Sequence, residues 1–272
     1  MVSSDFRAEA RKRLQSKWGK AAIMMLAYAV CFFILGLIQN LFTEGSTLYA
    51  IFSIIVAIIE IPLGFGLLIS LLKLYKDEET SAFGFLKLGF NNFKRSWAVT
   101  WYVFLKLLLP IILIIVAYII VAIGISVATV SAVSGGGATV GSALSIIGTI
   151  LLIVGYIWSI PRSYSYMMSY VIAADEENLT SKEAVNKSGE IMQGNRWKLF
   201  CLQFSFIGWA ILASIVLGIG YLWLIPYIQF AMIAFYFNLN GKGPEIKAEV
   251  VPEEPKENPK TETIEDKSTD KE

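Results

Sequence analysis

Residues 21–42 read AAIMMLAYAVCFFILGLIQNLF, and residues 48–72 read LYAIFSIIVAIIEIPLGFGLLISLL. The first stretch carries no charge in 22 positions, and the second carries one acid, Glu60, in 25. A helix needs about 20 apolar residues to cross the ~30 Å hydrocarbon layer. Each stretch therefore predicts a membrane span, and the five residues between them predict a helical hairpin.

The same reading applied outward gives spans at about 21–42, 48–72, 98–124, 143–161, 199–217 and 221–239. The last two share one long apolar run, 199–239, which is divided at Gly218-Ile219-Gly220, where glycine permits a tight reversal. Composition agrees. The chain has 272 residues, of which 56% are hydrophobic and 17% charged, with a mean hydropathy of +0.60. Soluble domains are about 45–50% apolar and about a quarter charged. This excess of apolar residues excludes a soluble enzyme, a nucleic-acid binder and a secreted disulfide scaffold.

Charge placement is an independent check on the span count. Residues 1–20 hold six Lys and Arg, 73–96 hold five, 162–198 hold five, and the tail after Leu239 holds six. The intervening connections, 43–47, 134–142 and 218–220, hold none, and Lys106 alone falls inside a span. The positive-inside rule then puts both termini in the cytoplasm. The net charge of +1 is a near-cancellation between a helical body, 1–240, of net +5 and a Lys/Glu/Pro-rich tail, 241–272, of net −4. That tail composition predicts a disordered cytoplasmic segment.

Two cytoplasmic segments read as copies. Ile61-Pro62, Asp77-Glu78-Glu79, Thr80-Ser81, Lys94-Arg95 and Trp97 recur in order as Ile160-Pro161, Asp175-Glu176-Glu177, Thr180-Ser181, Arg196 and Trp197. A related basic-Trp pair, Lys17-Trp18, precedes the first span. The predicted fold is thus an all-α polytopic transmembrane bundle. It comprises three parallel two-helix hairpin repeats, each introduced by a basic amphipathic interfacial helix, at about 4–19, 81–96 and 181–193. Phe6, Ala10, Leu14 and Trp18 define the apolar face of the first entry helix, and Phe83, Leu86, Phe90, Phe93 and Trp97 that of the second. In the third, Thr180 and Glu183 form a capping box, Glu183 and Lys187 are spaced to pair, and Gly194 is placed to stop the helix. Trp18, Trp97 and Trp197, with Arg11, Arg13, Lys17, Lys94, Arg95 and Arg196, are expected to anchor these helices at an anionic inner leaflet. The same helices are the place for a protein partner, if one docks.

Chemistry-bearing residues are few. The chain contains no histidine, and its two cysteines, Cys31 and Cys201, each lie in an apolar run. No nucleophile–base pair, metal-ligand cluster or phosphate loop is visible, so neither catalytic residues, a metal nor a cofactor is expected. The ionisable groups inside spans are Glu60 and Lys106, and such groups are functional candidates by default. They are expected at overlapping depth, as an ion pair or the lining of a polar path. Gln203 and Gln229 are weaker versions of the same idea, more suited to bonding neighbouring helices.

At Phe6-Arg7-Ala8-Glu9-Ala10-Arg11, Leu14 and Lys17-Trp18-Gly19-Lys20 the sequence resembles the N-terminal signature of a bacterial polytopic membrane-protein family catalogued as a domain of unknown function. A second signature runs through Tyr170-Val171-Ile172-Ala173, Ser181-Lys182-Glu183-Ala184, Met192-Gln193-Gly194-Asn195 and Trp197-Lys198-Leu199. It continues over Leu202-Gln203-Phe204-Ser205-Phe206-Ile207-Gly208-Trp209 to Pro226-Tyr227. The resemblance covers about residues 4–240 and implies a bacterial plasma-membrane protein without an established activity. A remoter likeness to the membrane domain of glycerophosphoryl diester phosphodiesterases implies lipid-related surroundings, and the catalytic domain of those enzymes is absent. Two functions are expected. One is a non-enzymatic scaffold, accessory or envelope-related factor. The other is a small transporter or translocator of lipid-like or peptide substrates that uses Glu60 and Lys106.

Overall fold

The computed structural model of the protein describes residues 2–134, 139–215 and 218–241. Its elements are helices throughout: α1 (Ser3–Leu14), α2 (Trp18–Gln39), α3 (Thr47–Tyr75), α4 (Gly84–Asn91), α5 (Phe93–Val133) and α6 (Thr139–Tyr166), followed by α7 (Ser169–Asp175), α8 (Ser181–Ile191), α9 (Arg196–Phe204), α10 (Ile207–Ile215) and α11 (Tyr221–Leu239). Among the described residues, six helical segments are long and apolar enough to cross a membrane: α2, α3, α5, α6 with α7, α9 with α10, and α11. The fold is all-α with six candidate spans. The tail expected to be disordered lies, beyond Gly241, outside the described residues.

Several boundaries differ from the sequence reading, each for a local reason. The expected 4–19 helix stops at Leu14, and Trp18 opens α2 instead. The backbone turns between them with the Lys17 N–H donating to the Leu14 carbonyl at 2.7 Å, and the Lys17 ammonium reaches the carbonyl of Leu74, also 2.7 Å away. The expected 81–96 helix is the shorter α4, and α5 begins anew at Phe93. Its buried face is also different: Phe85 and Gly89 face inward, whereas Phe83 and Phe90 are exposed. Glycine decides this. A Cβ on Gly89 would come within 3.3 Å of Leu63 Cα and closer still to the Pro62 carbonyl, so α4 lies backbone-to-backbone on α3 only through its glycine. The expected 199–217 span breaks between α9 and α10 at Ser205, whose hydroxyl donates to the Leu202 carbonyl at 2.6 Å. The reversal at Gly218 is present, at φ +78°.

Span three runs on past Gly124 as a single 41-residue helix. Gly124 does not end α5. It belongs to a seam. The buried residues of α5's apolar part are Pro110, Ala117 and Gly124, and those of the facing α6 include Gly141, Gly148 and Gly155. Both sets recur every seven residues, the period that keeps one helical stripe facing its neighbour. Small residues on both sides let the backbones approach, since a Cβ on Gly148 would stand 2.9 Å from the Val121 nitrogen. This is the close packing available to helices in lipid, where burial of apolar side chains supplies little drive.

Away from this hairpin, one core gathers the C-terminal halves of α3 and α11 with the short helices α1, α4, α7 and α8. Phe85, Met168, Ile172, Phe230, Phe235 and Tyr236 are fully buried there. Edge-to-face rings join Phe6 to Phe235 at 5.1 Å and Tyr75 to Phe230 at 5.4 Å. Elsewhere α2, the first half of α3, α5 and α6 expose Ile34, Ile51, Ile119 and Ile150, a surface suited to lipid.

Pro62, buried in α3, has no N–H for the carbonyl of Ile58. The indole nitrogen of Trp97 donates to that carbonyl at 3.2 Å. An unsatisfied carbonyl in hydrocarbon costs several kcal/mol, and this bond offsets that cost at Pro62. Trp97→Phe keeps the ring and removes the donor, with an expected loss of about 1–3 kcal/mol of stability. In a Pro62→Ala background, where the helix supplies its own N–H, the loss should shrink to less than half. Thermal unfolding of the four variants in one detergent measures this, and equal losses in both backgrounds would refute the pairing.

Candidate functional site

Glu60 sits in the middle of α3, two residues before Pro62. Gly64 follows one turn later, with the Tyr28 hydroxyl of α2 lying over it, 3.7 Å from where a Cβ would be. On the same side, Phe65 of α3 meets the ring of Tyr170 on α7 at 6.4 Å. Together with Gln229 and Met232 of α11, these residues line an open cavity of about 400 Å³. Three of its polar groups, the Glu60 carboxylate, the Tyr28 hydroxyl and the Gln229 amide, have no hydrogen bond or ion pair within the described protein. The Tyr170 hydroxyl is shared with Thr100 Oγ1 at 3.0 Å. An acidic group with two neutral hydrogen-bonding groups and aromatic faces is a setting for a cation on an apolar body.

Lys106 does not join this site. Trp97 stands beside Ile58, and Lys106 lies nine residues farther along α5, about 13 Å by helical rise. Glu60 and Lys106 are both exposed, but Lys106 does not line the cavity and forms no ion pair with Glu60. The expected Glu60–Lys106 pair is therefore corrected. Lys106 instead marks the end of the α5–α6 seam. Gly155 faces Ile114, so one more seven-residue step brings Arg162 level with Leu107, next to Lys106. Gln203 does bond neighbouring helices: it accepts from Tyr164 at 2.9 Å and reaches Met167 Sδ at 3.0 Å.

The residues expected to anchor the protein in lipid divide into two sets. One set closes helix ends. Lys17 pairs with Asp77 at 2.6 Å as well as reaching Leu74, and Arg13 pairs with Glu9 at 2.9 Å while standing over the Tyr75 ring. The hydrogen bond and charge of Lys17 hold the Asp77 carboxyl below its usual range. Arg95 donates to the carbonyls of Ala173, Glu176 and Glu177 at 2.9, 2.9 and 3.3 Å, capping the C-terminus of α7, where a cation also favours the helix dipole. Trp97 likewise serves backbone, at the Ile58 carbonyl inside α3. The other set stays outward: Arg11, Lys94 and Trp197 are exposed. Trp18 is half-buried, 6.0 Å from the Tyr227 ring. Arg196 keeps a buried Nε without a partner.

Pattern alone missed a polar clamp that locks the core. Lys76 at the end of α3 pairs with Asp175, whose side chain is 4% exposed. The next residue, Glu176, accepts from Lys187 at 2.7 Å, Asn240 at 2.9 Å and Tyr236 at 3.0 Å. Lys187 thus serves Glu176 and not Glu183, as its spacing had implied. Glu183 instead completes the capping box with Thr180, its oxygen 2.8 Å from the Thr180 nitrogen. Both acids of the clamp sit in the triplet 175–177, so the triplet was a usable signal. The partners of Glu176 come from 11 to 64 residues away, and Asp175 is met by Lys76 from the far end of α3, which periodicity cannot show.

Six apolar helices of spanning length, joined by short helices that pack into one core, give the build of a multi-pass membrane protein. The chain belongs to the family described as "Protein of unknown function (DUF975)", whose model matches residues 1–242. Comparison with curated proteins and with solved structures returns no match.

Burial pushes the Glu176 carboxyl up, but hydrogen bonds from Lys187, Asn240 and Tyr236 outweigh it and leave the group below its ordinary value. A lowered native value means the unfolded chain takes up the proton first as pH falls. The clamp's contribution is fully present above about pH 5 and declines below it, through the ordinary carboxylate range. Thermal unfolding between pH 6 and 4 should show a shallower loss in Glu176→Gln than in the parent. An unchanged slope would remove Glu176 from the clamp.

Proposed function

We propose that this is a non-enzymatic, multi-pass protein of a bacterial plasma membrane that binds a small amphiphile or peptide bearing a cationic group at the Glu60 cavity. One observation carries the reading: a carboxylate in the middle of a candidate span, without a protein partner, lines a cavity with Tyr28, Tyr170 and Gln229. A charge at such a position is costly. A cationic ligand offsets that cost, and aromatic faces add cation–π attraction. This keeps the transporter or translocator of lipid-like or peptide substrates as the function and moves its polar site from the Glu60–Lys106 pair to Glu60 alone. The cation distribution along the chain supports cytoplasmic termini, and the matched motifs at 61–97 and 160–197 support an internal repeat.

The scaffold reading stands second. It is supported by the rigid cluster of α1, α4, α7 and α8, which leaves Lys12 and Lys94 exposed beside it. Anionic lipid headgroups, or a protein docked on these helices, are the partners in that reading.

The test uses full-length protein in nanodiscs and dodecylammonium as probe, with dodecyl sulfate as control. Glu60→Gln should weaken dodecylammonium binding about tenfold, the equivalent of roughly 1.4 kcal/mol. Lys106→Met should leave it unchanged. Complementation of a deletion strain separates the two readings. If Glu60→Gln binds the probe like the parent and complements fully, the cavity reading fails, and a reproducible partner in pulldowns then favours the scaffold.

A further inference from the structure

A second cavity, of about 420 Å³, lies on another side of α11, away from Glu60. Trp18 of α2, Trp209 and Leu212 of α10, and Trp223 and Tyr227 of α11 make it almost wholly apolar, and Arg11 of α1 stands as the one charged residue in its lining. Such a volume is in the range of small-ligand sites, which combine an apolar body with few polar groups. We propose that this groove holds a single anionic phospholipid, with an acyl chain along the tryptophans and the phosphate on Arg11, assisted by Arg7.

Three observations converge on that occupant. First, the cations of α1 are unequally used. Arg13 is engaged by Glu9 and Asp77, whereas Arg11 is exposed and, among the described residues, Arg7 and Arg11 take part in no ion pair. Second, Arg7 lies one turn before Arg11, its Nε is buried without a hydrogen-bond partner, and its carbonyl accepts from the Tyr227 hydroxyl at 3.4 Å. Tyr227 itself lines the groove. A buried donor without a partner is costly, and a phosphate oxygen is the acceptor arginine matches best. Third, the groove is not shut away from the apolar surface. Trp209, Leu212 and Trp223 remain 53%, 56% and 46% exposed on candidate spans. A water-soluble anion gains nothing from such walls, whereas a lipid enters from its own phase. The far end is set by Gly220, where a Cβ would stand 2.7 Å from Ala213 Cα, so α10 and α11 are already as close as they can pack.

The experiment titrates phosphatidylglycerol and phosphatidylcholine separately onto delipidated full-length protein in detergent, read by native mass spectrometry. Phosphatidylglycerol should bind about tenfold more tightly. Arg11→Gln, at an exposed and unpaired position, should remove that preference, Arg11→Lys should restore part of it, and Lys94→Gln should leave it intact. Trp223→Ala should weaken both lipids several-fold, with unfolding temperature confirming the fold. Equal affinity for the two lipids, an unchanged preference in Arg11→Gln, or an equal loss in Lys94→Gln would each overturn the proposal. Competition by millimolar inorganic phosphate would overturn it in favour of a free-anion site. This cavity shares no lining residue with the Glu60 cavity, so either assignment can fail without the other.

Discussion

Backbone polar groups in hydrocarbon have no water to fall back on, and much of this structure follows from where those groups find partners. Helices meet most of the demand internally. The exceptions are places where a helix is interrupted or ends. Pro62 interrupts α3, and Trp97 arrives from α5 to serve the carbonyl of Ile58. The last turn of α3 receives Lys17 from the start of α2. The end of α7 and the two residues after it receive three hydrogen bonds from Arg95. In each case the donor comes from a different helix, so completing one helix fixes the position of another. Tertiary arrangement and helix termination are here one problem.

That coupling explains which parts of the fold were legible in the sequence. Span positions depend on composition over about 20 residues, and α11 matches its expected 221–239 at both ends. Entry helices are harder, because their limits depend on partners elsewhere. In the 81–96 segment, Phe83 and Phe90 look like part of a buried stripe. Gly89 takes the buried position instead, since contact with α3 is made by backbone and tolerates no side chain. The seam of Pro110, Ala117 and Gly124 against Gly141, Gly148 and Gly155 was legible in principle. Its period is strict, but it is written in small residues, which a hydropathy count passes over.

The candidate site was half legible for a related reason. A carboxylate in an apolar run marks itself, so Glu60 was findable from sequence alone. Its surroundings come from α2, α7 and α11, separated from it by tens of residues, and nothing in their local pattern announces Tyr28 or Tyr170 as its neighbours. Pairing Glu60 with Lys106 followed from counting depth along straight, level helices. The Trp97–Ile58 bond shows that α3 and α5 meet far from Lys106, and depth counting has no access to such offsets.

Cations in this chain then sort by whether a helix end claims them. Lys17, Arg95, Lys76 and Lys187 are consumed by carbonyls or carboxylates of the core. Their positive charge is spent on the fold and is weakly available to a ligand. Arg7 and Arg11 lie one turn apart on the same helix as Arg13, yet only Arg13 meets an acid, because Glu9 and Asp77 both fall on its side. The opposite face of α1 meets tryptophans and Tyr227, where no acid lines the groove among the described residues. A cation held against an apolar groove keeps its full demand for an anion, and in a lipid-bathed protein the nearest anions are headgroups. The same logic inverted applies at Glu60, where the shortage is of a cation. What the fold leaves unneutralised is, on both sides of α11, what a ligand can supply.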